Sequence, residues 1–307
     1  MPGKRRKKER LGCNARIVIV GSGLGGLSAA LALEQNGYTN VTVVERDESV
    51  SARKEGYGLT LTYNPKGPLA QLQVLPEVAE NDCPSRSHYM FAPDGRVLGY
   101  YGNAFTPLRG MGQRGNLRVP RQLLRRTLLN RLQTSVCFGK RLVGLETTVE
   151  SCDEDQTRSD SPKLSLRFED GSTEHDIDLL VAADGIRSTV LRTLLPDDNG
   201  LRYLGVFIVL GIADYWHPLL DERGFYTLDG EHRLFTMPYE GSALEPDKGR
   251  RFMWQLSFRL DDHEKATELG KLDSESLRKL VLSRCDGWHE PVTDMMRSTP
   301  TETIWAT

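Results

Sequence analysis

Three glycines set between a strand and a helix constrain this chain more than any other feature. RIVIV (16–20) is a β-branched run, as expected for a strand buried on both faces of a parallel sheet. GSGLGG (21–26) follows, then LSAALALEQNG, with Leu24, Leu27 and Leu31 on one stripe and a stop at Asn36-Gly37. That spacing predicts a helix opened by glycines and closed by a C-terminal glycine. VTVVE (41–45) reads as a second buried strand. A β–α–β unit crosses over right-handed, which brings both strand ends and the helix N-terminus to one edge. At that edge Gly21 permits a tight turn and Gly23 lets the backbone approach a pyrophosphate. Gly26 lets helix and strand pack closely, and Ser22, Leu24 and Gly25 complete the loop. The helix N-terminus offers unpaired N–H groups to the phosphate charge. Ala30 and Gly37 extend the pattern, and Glu45 closes the second strand where a carboxylate takes adenosine ribose hydroxyls. A carboxylate there disfavours a 2′-phosphate, so the fingerprint leaves FAD and NAD open.

The remaining chain is less regular. GYGLTLTYN (56–64) reads as a glycine-rich lead into a strand, and FAPDGRVLGYY (91–101) as a hairpin turning at Pro93-Asp94-Gly95. LRVP (117–120) leads into RQLLRRTLLNRL (121–132), an amphipathic helix with Leu124, Leu128 and Leu132 on one stripe and basic residues elsewhere. Residues 146–162 are polar, acidic and without pattern, as in a mobile loop inserted between strands. SLRFEDGSTEHDIDLLVAADG (165–185) reads as a hairpin feeding a buried strand, and STVLRTLL (188–195) as a helix with Ser188 at its N-cap. Beyond 203, runs at 205–212, 225–228, 233–238 and 252–258 predict antiparallel sheet.

Composition removes several function classes. A chain of 307 residues, 38% hydrophobic and 27% charged, buries a sizeable core, which excludes intrinsic disorder and a small disulfide scaffold. Its net charge of −2 is uneven: Lys4, Arg5, Arg6, Lys7, Lys8 and Arg10 crowd the N-terminus and leave an acidic body, which argues against nucleic-acid binding by the folded part. The basic run reads as a solvated terminus, with nuclear targeting and a weak contact with an anionic surface as the other readings. No apolar run is long enough to span a membrane. Five cysteines without CxxC spacing read as cytosolic free thiols, and six histidines without an HxxxH or HxH pair give no metal site. The expected location is therefore cytoplasmic.

VIVGSGLGGLSAALALEQNG with VVERD, EGYGLTL, VPRQLLRRTLL and LLVAADGIRSTVLR together resemble the para-hydroxybenzoate hydroxylase type of FAD-dependent monooxygenase, the single-component aromatic hydroxylases. The resemblance spans residues 16–192. It implies an α/β fold in which a Rossmann-like FAD/NAD(P)-binding domain carries an antiparallel β-sheet substrate domain. It also implies that NAD(P)H and O2 are used to hydroxylate a small, aromatic substrate through a flavin C4a-hydroperoxide. Carried onto this chain, Gly21, Ser22, Gly23, Leu24, Gly25 and Gly26 would cradle the FAD pyrophosphate and Glu45 its ribose, with Arg46 near the adenine. Gly58 would let the backbone approach the flavin, and Arg121 would pair with the phosphate and ribityl region. Asp184 and Gly185 would serve both FAD and the NAD(P)H site. Asp184 has a second reading as part of the cap of the following helix, and Arg121 as a solvated helix-end charge. Phe207, Phe235, Met237 and Tyr239 are candidates for the substrate-pocket wall, although an aromatic on a strand is more often core. No acid–base residue is singled out as catalytic.

The family also carries a Gly-Asp motif after its substrate sheet, and none is found before the chain ends at ETIWAT (302–307). The expected layout is a basic tail (1–14), an incomplete FAD-binding domain (15–202), a substrate sheet (203–300) and the start of a return to the first domain (301–307). The competing readings are a non-catalytic nucleotide-binding or interaction protein, a flavin reductase or halogenase-like oxidation, and an NAD dehydrogenase. A homo-oligomer is left open.

Overall fold

The computed structural model describes residues 11–52, 56–83, 85, 87–102, 116–148, 163–197, 201–221, 223–240 and 251–307. The basic tail up to Arg10 and all of the acidic loop beyond Thr148 lie outside them. Two units emerge, residues 1–54 with 125–201 and residues 55–124 with 202–307. The chain runs β1 (Ile17–Val20), α1 (Leu24–Gln35), β2 (Val41–Val44), β3 (Gly58–Thr62), α2 (Pro68–Gln71), α3 (Leu75–Glu80), β4 (Ser87–Phe91), β5 (Val97–Gly102), β6 (Asn116–Pro120) and α4 (Arg121–Arg131). It continues through β7 (Val136–Cys137), β8 (Leu142–Thr148), β9 (Lys163–Phe168), β10 (Thr173–Ile177), β11 (Leu179–Ala182) and α5 (Thr189–Leu194). Last come β12 (Val206–Asp214), β13 (Arg223–Leu228), β14 (His232–Glu240), β15 (Arg251–Arg259), α6 (His263–Leu269), α7 (Ser274–Arg284), α8 (Val292–Ser298) and β16 (Ile304–Ala306).

In the first unit a parallel sheet is ordered β11–β1–β2–β7. Ile17 stands opposite Val41 on one side and Leu179 on the other. Successive side chains of β1 enter two cores. Ile17 and Ile19 pack with Ala30 of α1 and with Val41 and Val43. Val18 and Val20 pack with Val44, Leu142, Leu166, Phe168 and Ile177, where the last four come from the antiparallel sheet β8–β9–β10. Cover on both faces explains why β1 is apolar without alternation, and burying each such side chain is worth about 1.5–3 kcal/mol. β11 departs from the buried strand expected there. Among the described residues it pairs with β1 alone, so it is an edge there, and Leu179 is 38% exposed.

The second unit is built on a seven-stranded sheet ordered β16–β12–β15–β14–β13–β4–β5. Its antiparallel centre, β12 to β15, lies where the alternating runs placed it. One boundary differs from expectation. β4 runs parallel to β13, with Tyr89 opposite Phe225, so the hairpin of β4 and β5 belongs to this sheet and not to the nucleotide unit. β16 pairs with β12, Ile304 opposite Gly211, and buries Ile304 in the same core. Helices α6 to α8 cover one face. Asp262 and Asp273 cap α6 and α7 by accepting from the Lys265 and Ser276 N–H groups. Leu277, Val281, Met295 and Met296 of these helices join Phe225, Trp254 and Leu256 of the sheet in one core. On the other face Leu210, Ile212, Met237, Tyr239 and Met253 form a separate cluster. The antiparallel ribbon of β3 and β6 sits beside it, with the Gly58 N–H 3.2 Å from Met253 Sδ. No described helix is long and apolar enough to cross a membrane.

Candidate functional site

The carboxyl ends of β1, β2 and β11 meet the N-terminus of α1, and two glycines there are dictated by backbone crowding. Gly21 has φ +104°, and a Cβ on it would lie 2.4 Å from the Ala183 carbonyl oxygen. A Cβ on Gly26 would lie 1.9 Å from the Gly21 carbonyl oxygen. Both are therefore needed by the fold itself.

Gly23 and Gly25 are different. Gly23 has φ −72° and ψ −179°, a conformation any residue adopts, and a Cβ on it would meet nothing within 4 Å. The same open space surrounds a Cβ on Gly25, inside a helix where glycine costs roughly 0.5–1 kcal/mol relative to alanine. Internal packing does not account for glycine at these two positions. A pyrophosphate lying against the N-terminus of α1 does, and no side chain caps that terminus. The residues present thus fit a dinucleotide.

Glu45, only 7% exposed, is tied into the loop. Its Oε2 accepts from the Ser22 N–H at 2.7 Å and from Ser22 Oγ at 2.8 Å, and its Oε1 accepts from the Asp47 N–H at 3.0 Å. Burial pushes the carboxyl pKa upward, but the amides of Asp47 and Ser22, the Ser22 hydroxyl and the Arg125 charge outweigh it and hold the group below its ordinary value. With one donor on Oε1, a lone pair remains for a ribose hydroxyl. A depressed carboxylate contributes stability above its unfolded pKa of about 4.3, and this is lost as pH falls through the folded value. Urea unfolding of wild type against Glu45→Gln should therefore show a wild-type advantage at pH 7 that shrinks toward zero below about pH 4. An advantage independent of pH would contradict the ionised assignment.

The residue that sequence reasoning passed over is Arg125. It was placed with the basic, solvent-facing side of α4, yet it is 4% exposed. Its Nε donates to the Ser22 carbonyl at 2.9 Å and a terminal nitrogen to Ser22 Oγ at 2.8 Å. The other terminal nitrogen reaches the Val50 carbonyl at 3.3 Å. Arg125 stands next to Leu124 and three residues before Leu128, both buried, and with Thr127 it widens the buried stripe beyond the leucines.

Asp184 follows β11 at the same edge, but its carboxylate is engaged with α5. Oδ2 accepts from the Thr189 N–H at 2.6 Å and the Val190 N–H at 3.2 Å, and Oδ1 from Ser188 Oγ at 2.6 Å. Ser188 Oγ in turn accepts from the Leu191 N–H. The capping reading of Asp184 is thus realised in full. Gly185 has φ +86° with open space where a Cβ would go, and Arg46 is exposed.

Gly58 and Arg121 belong to the second unit. Gly58 stands opposite Pro120, and a Cβ there would meet Met237 Cε at 3.0 Å, a tight contact that the flexible end of the Met237 side chain can relieve. The Arg121 N–H donates to the Tyr57 carbonyl. Of the four pocket-wall residues, Phe235, Met237 and Tyr239 share one face of β14 and one cluster. Phe207 does not join them. It points to the helix-covered face, 5.5 Å from the Phe258 ring, because β12 alternates and Phe207 falls on the face of Val209. Tyr239 is itself anchored, donating from Oη to the Gly56 carbonyl at 2.9 Å.

Residues 14–286 match the family model described as FAD binding domain. Chloroplastic zeaxanthin epoxidase of Nicotiana plumbaginifolia is 29% identical over 297 residues, covering 94% of this chain and 40% of that protein. The chain thus spans about two fifths of the length of the curated relatives it matches first. HpxO of Klebsiella pneumoniae, solved with FAD and uric acid, superposes with a TM-score of 0.71 at 24% identity, over 95% of this chain and 67% of that one. 2,6-Dihydroxypyridine-3-hydroxylase of Arthrobacter nicotinovorans gives 0.73 at 20% identity, over 96% and 72%. These likenesses establish the fold as that of FAD-containing monooxygenases. With a glycine crevice of the right form and a family match across most of its length, the chain belongs to the FAD binding domain family.

Proposed function

We propose that this chain forms the FAD-binding and substrate-sheet part of a flavin-dependent, NAD(P)H-using monooxygenase that places one oxygen atom on a small conjugated or aromatic molecule. The observation that carries the reading is the pair Gly23 and Gly25, whose small size no packing within the chain requires, in a chain of the FAD binding domain family. When bound, FAD would supply the redox chemistry, accepting a hydride from NAD(P)H and activating O2. The chain's own residues bind and orient. The α1 N-terminus and its glycines would hold the pyrophosphate, Glu45 would accept from ribose hydroxyls, and Arg125 would keep Ser22 and hence Glu45 in place. Asp184, Gly185, Arg46, Gly58 and Arg121 would add cofactor contacts. The apolar face around Phe235 and Met237 would keep water from the reacting atoms. The relatives named above include an epoxidase and a hydroxylase, which supports oxygen insertion as the shared reaction class.

The test is a visible spectrum of the purified chain after desalting, followed by NAD(P)H consumption with candidate phenols. Retained flavin absorption and substrate-stimulated NAD(P)H oxidation are expected. A colourless protein whose unfolding midpoint does not rise with added FAD would overturn the cofactor assignment. Retained flavin without NAD(P)H oxidation by any substrate would favour a non-catalytic binding protein.

A further inference from the structure

Ser22 stands between the first two glycines of the loop, and its chemistry decides how much of Glu45 remains for a ligand. An ionised carboxylate offers about four lone-pair positions, two on each oxygen. Among the described residues, Ser22 and Asp47 supply three donors to Glu45. The Ser22 N–H and Ser22 Oγ both bond to Oε2, at 2.7 and 2.8 Å, and the Asp47 N–H bonds to Oε1 at 3.0 Å. One residue thus fills Oε2 through its backbone and side chain together. Oε1 keeps a single open position.

The polarity of this arrangement is fixed. A guanidinium only donates and an ionised carboxylate only accepts. Ser22 Oγ lies 2.8 Å from a terminal nitrogen of Arg125 and 2.8 Å from Glu45 Oε2, so it accepts from the first and directs its one proton to the second. Arg125 is held in turn by the Ser22 and Val50 carbonyls. Ser22 is 1% exposed, Arg125 4% and Glu45 7%, so water does not compete for these bonds. A ligand that displaced the Ser22 hydroxyl would leave a buried polar group short of its partner. The ribose of an adenosine dinucleotide brings two adjacent hydroxyls, each a donor. Two donors meet one open position.

We propose that Ser22 makes Glu45 a reader of one ribose hydroxyl: by filling Oε2 it leaves Oε1 to accept from one of the pair, and the other goes unread by the carboxylate. The inference rests on the dinucleotide reading above and deepens it. The ligand is an adenosine diphosphate in which one ribose hydroxyl is required and its neighbour is dispensable. Ser22 acts through Glu45, so it is a positioning residue, and the readout is discrimination between ligands. The full chain, with any retained flavin removed, is titrated by calorimetry with ADP, 2′-deoxy-ADP and 3′-deoxy-ADP. One analogue should bind about tenfold or more weaker than ADP, the loss typical of a hydrogen bond to a charged group, and the other should stay within about threefold. Ser22→Ala opens a position on Oε2, so in that variant both analogues should bind about tenfold weaker than ADP. Ser22→Gly serves the same comparison if the alanine variant does not fold. Equal losses for the two analogues in wild type, or no loss for either, would overturn the proposal. A Ser22→Ala chain that still separates the analogues as wild type does would overturn it as well. ADP that fails to bind saturably overturns the dinucleotide reading and this inference with it, whereas ADP bound with equal losses defeats this inference alone.

Discussion

Gly26→Ala should destabilise the first unit by about 3 kcal/mol or more and abolish flavin retention, while Gly23→Ala should leave the fold intact and weaken flavin alone. The two glycines sit three residues apart in one loop, and their surroundings are opposite. At Gly26 the added carbon would overlap the Gly21 carbonyl oxygen at 1.9 Å, approach its carbonyl carbon at 3.1 Å and meet Ala183 Cβ at 3.3 Å. The first two of these are backbone atoms, held by the bond from the Gly21 N–H to the Val44 carbonyl and by the bond from the Ala183 N–H to the Val20 carbonyl. Relief would require α1 to move away from β1 and open the core of Ile17, Ile19 and Ala30. At Gly23 the same carbon meets only space. Urea midpoints and flavin absorption of both variants check this: Gly26→Ala unfolding at the wild-type midpoint would refute the steric account. Gly23→Ala with undiminished flavin affinity would refute the role given to the open glycine.

Arg125→Met should cost about 3 kcal/mol, a loss typical of removing one partner from a buried charged network. Methionine keeps the length and apolar stem, so the loss reports the guanidinium. Without it, the Ser22 carbonyl loses its donor, and Ser22 Oγ loses the group that fixes its orientation toward Glu45. Flavin affinity should fall with stability, and Arg125→Lys should recover only part of either, because an ammonium cannot reproduce the fork that reaches Ser22 and Val50 together. A methionine variant as stable as wild type would mean that Glu45 is held by the two amides alone.

The β1–α1–β2 unit was legible because its signals are local: a β-branched run, a glycine loop and a helix stop within thirty residues. So were the strands of the antiparallel sheet, whose alternation is written into consecutive residues. The placement of β4 and β5 was not, because parallel pairing of Tyr89 with Phe225 links segments with no local mark of each other. The reading of α4 failed at Arg125 because charge was taken as a sign of exposure, whereas its donors replace water with two carbonyls and a hydroxyl. Phe207 was grouped with Phe235 on aromatic character. Strand parity separates them, and parity becomes decisive only once the helix-covered face is known. Helices α6 and α7 had written signals in Asp262 and Asp273, three residues ahead of the Lys265 and Ser276 amides they bind. Asp184 shows a limit of a different kind: the motif singles the residue out, and its carboxylate serves the next helix.

The interleaving of the two units also sets the order in which a ribosome can complete them. β1 gains its β11 neighbour only when residues 179–182 have emerged, and β4 gains β13 only after residue 223. Each closure spans well over one hundred residues, so both halves begin as open sheets with unpaired edges and depend on contacts of high sequence separation. A fragment ending at residue 124 would therefore contain most of neither unit's sheet, and the first to close during synthesis is the nucleotide unit, whose last strand precedes β13 in the chain.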